Sequence, residues 1–251
     1  MRIYRVHVDT PLGIGETLEL PERAARHLVK VLRHRTGDRV RLFDGRGQEA
    51  EAEITAAHRR HGCRVRIIDS REISRESQLC IELLPAISRG EKPDWVIQKA
   101  VELGVAAIRP IITERGEVRM TGDVTRRLQR WREIVIGACE QCGRTILPPV
   151  HLPAPLEQID PDAATRIALD PEAESGLGDC PPADGAVAIA VGPEGGFSDR
   201  DLACLNARGF HRVCFGPRVL RTETAAIAAV AAVQVLYGDL DRPVFGSASD
   251  R

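Results

Sequence analysis

Apolar and polar positions alternate with a period of two through the first seventy residues, and the rhythm changes from residue 79 onward. "RIYRVHV", "DRVRLFDG", "EAEAEI" and "CRVRIID" read as short strands, the middle pair flanking a glycine-rich turn at "DGRGQ". That pattern predicts a small barrel of antiparallel strands. One helix interrupts it, "PERAARHLVKVL", with Pro21 at a favoured first helical position. Ala24, Leu28, Val31 and Leu32 fall at helical spacing and predict its buried face. "DSREISRES", charged and with Ile73 as its one large apolar side chain, reads as a linker.

Past it, strands and helices alternate. "LCIELLPAI" predicts a strand and "PDWVIQKAVELG" a helix running from an Asp94 cap to a Gly104 stop. The strand "VAAIRPII" comes next, then a long helix, "DVTRRLQRWREIVIGACEQCG", with Leu128, Trp131, Ile134, Val135, Ala138 and Cys142 on one face. Further strands are expected at "RIALD", "AVAIAVG" and "HRVCFG", the last two separated by the helix "SDRDLACLNARG" with a Ser198/Asp201 capping box. "TETAAIAAVAAVQVLYG" closes the series as a helix. The alternation predicts an α/β domain with a mainly parallel sheet buried on both faces, and "AVAIAV", which has no polar side, fits a central strand.

Composition narrows the class. In 251 residues, 43% hydrophobic and 28% charged, it describes an ordinary globular chain. No run approaches the ~18 apolar residues of a membrane span, and "MRIYRVHVDT" carries no apolar core of signal-peptide length. Seven scattered cysteines form no disulfide framework, so the expectation is a cytoplasmic protein with reduced thiols and no membrane partner. The net charge of −1 is uneven: residues 1–76 hold 16 Lys and Arg against 12 Asp and Glu, a balance of +4, which leaves −5 for the rest. A basic first part beside a mildly acidic second part suits a polyanion-reading module next to a catalytic one.

Three strand ends carry the candidate chemistry: Leu169–Pro171, Gly192–Gly196 and Phe215–Leu220. Ligands of open parallel sheets bind where loops leave the carboxyl ends of strands. Glycines at 192, 195, 196 and 216 let backbone atoms approach a flat ligand, and Pro193 and Pro217 fix the turns. Neither a P-loop nor a G-x-G-x-x-G fingerprint is present, which places a nucleotide-dependent oxidoreductase last among the candidate functions. The Cys139/Cys142 pair lies within a helical pattern without a second pair or a suitably spaced histidine, so it reads as core, and no metal is expected.

"VGPEGGFS" and, some twenty residues later, "FGPRVLRTETA", together with "SRGEKPDWVIQKAVELGV" and "ACEQCGRTILPPV", resemble the blocks of the RsmE-type ribosomal RNA uridine-N3 methyltransferases, members of the SPOUT class. The resemblance implies a SPOUT-type, trefoil-knotted parallel-sheet methyltransferase domain preceded by a small PUA-like RNA-binding β-barrel. It implies S-adenosylmethionine as cofactor, held against Leu169, Gly192, Gly195, Phe215, Gly216 and Leu220, and 16S ribosomal RNA of the small subunit as partner. Family members are generally homodimers, and the apolar residues nearly all round the closing helix (Ala225, Ala226, Ile227, Val230, Val233, Leu236) fit that. The expected boundaries are 1–72 for the barrel, 73–78 for a linker, 79–243 for the methyltransferase domain and 244–251 for a tail.

Methylating a neutral imide nitrogen requires removal of its proton or stabilisation of the anion as it forms. Arg221 and Glu223 are the first candidates, with Glu194 behind them; a plain helix start, Thr222 capping and Glu223 favouring the helix N-terminus, is the alternative. Arg23, Arg26, Lys30 and Arg33 line one helix face, extended by His27, and are candidate phosphate contacts with Arg5 and Arg144; a solvated face is the commoner explanation for such a stripe, and the family resemblance favours RNA. The competing function is a non-catalytic RNA-binding or ribosome-assembly factor that keeps the cofactor-binding fold.

Overall fold

The computed structural model describes residues 3–58, 62–88, 90, 92–116 and 124–241, so the expected tail at 244–251 lies outside the described residues. The chain divides into two compact units, Met1–Glu76 with Ile136–Leu147, and Ser77–Val135 with Pro148–Arg251.

The first unit is built on a five-stranded sheet. Its strands are β1 (Arg5–His7), β2 (Thr17–Glu19), β3 (Arg39–Phe43), β4 (Gln48–His58) and β5 (Gly62–Glu72), ordered β1-β3-β4-β5-β2. The expectation of antiparallel strands fails at one place, because β1 pairs with β3 in parallel. Strict alternation buries Cys63, Val65 and Ile67 of β5 while Arg64 and Arg66 face outward, as a half-buried strand requires. β4 and β5 pair over their length with register shifts at Glu51/Ala52 and Ile54/Ala56, irregularities that increase twist. β5 also extends four residues into the stretch that reads as a linker in the sequence.

Helix α1 (Glu22–Arg26) continues into a π-helical turn, His27–Val31. Pro21 sits just outside it at the cap position rather than as its first residue. The π turn corrects the expected face. Its wider Leu32 N–H to His27 carbonyl bond rotates the end of the helix, so Ala25, Leu28 and Val29 are buried while Val31 is 62% and Leu32 44% exposed. Arg33 ends the segment at φ +60°, uncommon for a residue with a Cβ.

The second unit holds β6 (Cys80–Pro85), β7 (Ala107–Ile108), β10 (Thr165–Leu169), β11 (Ala186–Val191) and β12 (His211–Val213) in one parallel sheet ordered β12-β10-β11-β6-β7. β8 (Ile111–Ile112) and β9 (Ala154–Pro155) form a separate pair, because Pro110 breaks the single strand expected over "VAAIRPII". Helices are α2 (Lys92–Glu102), α3 (Val124–Cys142), α4 (Asp199–Ala207) and α5 (Thr222–Tyr237). Asp94 lies inside α2 rather than at its cap. The last turns of α3 belong to the first unit and its earlier turns to the second.

β11 is the middle strand and is buried along nearly its whole length. Ala168, Ala188 and Ala190 pack with Phe197 and with Leu205 of α4, while α5 packs against α2, β6 and β11 through Ala226, Ala229, Val230 and Val233. At about 25 cal/mol per Å², burial of such a two-sided layer is the main favourable term holding the sheet. Its value for function lies in register. Leu169 ends β10 opposite Val191, the last residue of β11, and opposite Val213, the last of β12. Three loops therefore leave the same edge side by side.

Candidate active site

Those loops enclose a cavity of about 680 Å³, within the range of roughly 300–1,000 Å³ usual for small-molecule sites. All six residues expected at the cofactor line it: Leu169 from the first loop, Gly192 and Gly195 from the second, and Phe215, Gly216 and Leu220 from the third. The glycines have geometric reasons. A Cβ on Gly192 would stand 3.3 Å from both the Phe197 ring and its backbone nitrogen, and Gly216 adopts φ +76°.

Side chains from other segments fasten the walls. Arg115 Nη1 donates to the carbonyls of Gly195 (3.1 Å) and Phe197 (3.2 Å). Ser198 and Asp201 make the expected capping box at the start of α4, where Asp201 accepts from the Ser198 amide and hydroxyl, and also from the Glu114 amide at 3.2 Å. In the first loop, Asp170 accepts from the Glu172 amide (3.0 Å) and from Arg212 Nε (2.6 Å). Arg115 and Arg212 carry no motif signal; only their partners in the folded chain reveal them.

Charge collects at the rim. Arg221 and Glu194 line the cavity, while Glu223 is not among the lining residues. Arg221 occupies the cap position of α5 with extended backbone and no side-chain cap bond, so the alternative of Thr222 as the cap is not realised; Thr222 is buried within the first turn. Lys92, which the sequence reading passes over, joins the carboxylates. Its Nζ donates to Glu194 Oε1 at 2.6 Å and lies 3.8 Å from Glu223 Oε2. Glu223, 17% exposed at its side chain, accepts no protein hydrogen bond at that oxygen. The Lys92 bond, opposed by partial burial, holds Glu194 below the usual carboxylate range; Glu194 in turn raises Lys92.

With this geometry in view, likeness to known proteins becomes specific. Residues 75–234 match the RNA methyltransferase domain family and residues 20–68 the RNA methyltransferase PUA domain family. The chain is 33% identical to the ribosomal RNA small subunit methyltransferase E of Buchnera aphidicola subsp. Schizaphis graminum, over 95% of this chain and 98% of that protein.

The chain belongs to the ribosomal RNA small subunit methyltransferase E family.

A crystal structure of that enzyme from Neisseria gonorrhoeae bound to S-adenosylmethionine superposes with a TM-score of 0.86 at 39% identity, covering 95% of this chain and 100% of the other. A methyltransferase from Legionella pneumophila in complex with the same cofactor reaches 0.90 at 40% identity, over 96% and 100%.

Family membership directs attention to the basic residues of the first unit, which the structure sorts into two sets. Arg23, Arg26, Lys30 and Arg33 are exposed, and His27 is half-buried with its ring 5.2 Å from that of Tyr4. Arg5 and Arg144 turn inward. Arg5 pairs with Glu49, donates to the Arg144 carbonyl (2.8 Å) and lies over the Phe43 ring, while Arg144 pairs with Glu76. Burial first, then the neighbouring Arg75 and Arg41, bring Arg5 down to about 10. Both arginines are thus engaged in interior pairing. Cys139 is buried and donates to the Ile146 carbonyl, with Cys142 and burial raising its thiol. Among the described residues no group of His, Cys, Asp and Glu is arranged for a metal, and no helix is long and apolar enough to cross a membrane.

Proposed function

We propose that the chain is an S-adenosylmethionine-dependent methyltransferase acting on N3 of a uridine in 16S ribosomal RNA of the small subunit. The observation that carries this reading is the glycine-lined cavity formed by three loops at one sheet edge, in a chain whose relatives of similar length are methyltransferases with that cofactor bound. When bound, S-adenosylmethionine supplies an electrophilic methyl group. The chain holds it with backbone atoms of the Gly192, Gly195 and Gly216 turns and apolar contacts from Leu169, Phe215 and Leu220. Arg221 stabilises negative charge on the uracil as its imide proton departs. Glu223, outside the cavity lining and with a shielded oxygen that no protein donor occupies, receives that proton through one intervening water. Glu194, tied to Lys92 and lowered in basicity, positions the rim instead.

Arg23, Arg26, Lys30 and Arg33 supply phosphate contacts, with His27 beside them. The loops close the trefoil knot of the SPOUT class; support comes from β11 inserting between β6 and β10, although β6 precedes β10 in the chain. The first unit curves into the PUA-like barrel, a reading favoured by the register shifts of β4 and β5. The active form is a homodimer joined through α5, whose Val235 and Leu236 remain exposed, and it works in the cytoplasm with its seven cysteines reduced. Transfer of labelled methyl from S-adenosylmethionine to small subunits lacking the modification, with nucleoside analysis of the product, tests the reading. A 3-methyluridine product is expected. Cofactor binding without transfer would mark the chain as a binding factor.

A further inference from the structure

We propose that Lys92 is a catalytic residue of the methyl transfer, its ammonium group meeting one uracil carbonyl oxygen while Arg221 meets the other. The inference rests on the methyl transfer to uridine N3 and goes beyond it by assigning a second cation.

Uracil N3 lies between two carbonyls, and charge gained there on loss of the imide proton is shared with O2 and O4. A single cation satisfies one of those oxygens. Arg221 lines the cavity with Arg115 and Arg218, and Lys92, outside the lining itself, reaches the cavity edge through Glu194. Lys92 opens α2, Glu194 comes after β11, and Arg221 and Glu223 open α5, so one ammonium group links three segments around the cavity edge. Arg221 is close enough that its charge is felt at Lys92.

The hydrogen-bond inventory leaves Lys92 capacity for a substrate. An ammonium group has three N–H donors. Glu194 accepts one at 2.6 Å, and Glu223 at 3.8 Å is beyond hydrogen-bond range, so it acts through charge alone. The side chain is 38% exposed, which gives an incoming base access to it. Both carboxylates favour the protonated amine, so the donor is charged when substrate arrives. Glu194 thereby becomes the anchor that aims the lysine. In the reaction N3 bonds to the methyl carbon as the carbon–sulfur bond breaks, that electron pair goes to sulfur, and the imide proton passes to Glu223. Lys92 stays protonated throughout.

A substrate with a more acidic imide needs less anion stabilisation, and this separates chemistry from scaffolding. Full-length wild type, Lys92→Met and Lys92→Arg are assayed on small subunits reconstituted with uridine- or 5-fluorouridine-containing 16S transcripts, with cofactor affinity measured by calorimetry. Lys92→Met is expected to lower kcat on uridine about a hundredfold with cofactor affinity little changed, as loss of one charge-stabilising donor does. The deficit should shrink severalfold on the 5-fluoro substrate, and Lys92→Arg should retain most of the rate. An equal deficit on both substrates, or one explained by lost cofactor affinity, overturns the assignment. If Lys92→Met is not folded, Lys92→Gln gives the same comparison. Wild type that yields no 3-methyluridine on either substrate defeats the functional reading itself, a separate outcome from a wild type that works and a variant whose deficit ignores the fluorine.

Discussion

Two charged clusters in this molecule use the same residue types to opposite ends. In the first unit Arg5, Arg41 and Arg75 surround Glu49, a carboxylate 2% exposed that every one of them approaches. In the second unit Lys92 is shared between Glu194 and Glu223 at a cavity rim, with Arg221 beside it. The interior cluster has its acceptor saturated, so its free energy is committed to holding β1, β3, β4 and the 73–76 segment together. At the rim, Glu223 keeps a shielded carboxylate oxygen without a protein donor beside a partly exposed amine, whereas in the interior cluster the unmatched atom is a donor, Arg5 Nε. The occupancy of the shared acceptor, rather than charge, separates the two clusters.

The sharpest way to break this contrast is Glu49→Ala. It leaves three guanidinium groups without their shared counter-charge, and losing one partner of a buried ion pair costs about 3–5 kcal/mol. Denaturant unfolding should show a loss of that size; a loss under about 1 kcal/mol would mean that water reaches the cluster freely. Arg221→Ala is next. It should lower methyl transfer about a hundredfold while cofactor affinity and the unfolding midpoint hold, as for removal of a charge-stabilising group. A drop in cofactor affinity alone would make Arg221 a binding residue.

A weaker effect is expected where charges face solvent. Arg26→Ala combined with Lys30→Ala should reduce the slope of log affinity for RNA against log salt by about 1–2, with stability unaltered. An unchanged slope would leave that face merely solvated. The smallest effect concerns Glu140, which burial holds above the usual carboxylate range, opposed by the His7 amide, Arg23 and Arg5. A carboxylate with a raised folded pKa destabilises the folded state once pH exceeds its unfolded value, near 4.5. Glu140→Gln should therefore stabilise slightly at neutral pH and not at pH 4, readable in the pH dependence of the unfolding midpoint. Greater stabilisation at pH 4 would reverse the sign and refute the account.

Much of this was legible in the residues alone. The all-apolar "AVAIAV" announced a central parallel strand, and the Gly-Pro turns at 192–193 and 216–217 announced a backbone-lined slot, because both signals are local. The features that escaped depend on partners distant in sequence. Arg5 reads as a surface cation until its glutamate, 44 positions later, is placed beside it. Lys92 gains its role from Glu194, 102 residues away, and nothing in "GEKPDW" discloses that. The exposure of Val31 and Leu32 escaped for another reason. A stripe drawn at 3.6 residues per turn goes out of phase across a π turn, and no residue in "HLVKV" forces one.

Arg115, bonded to two carbonyls of the glycine loop, bears on how a ligand is received. A chain segment free to wander must be ordered by whatever binds it, and that ordering subtracts from affinity. Here the glycine-rich loop is tied at two carbonyls by a guanidinium from another part of the chain. The bonds of Arg115 to Gly195 and Phe197 reduce the part of that ordering left for a ligand to impose.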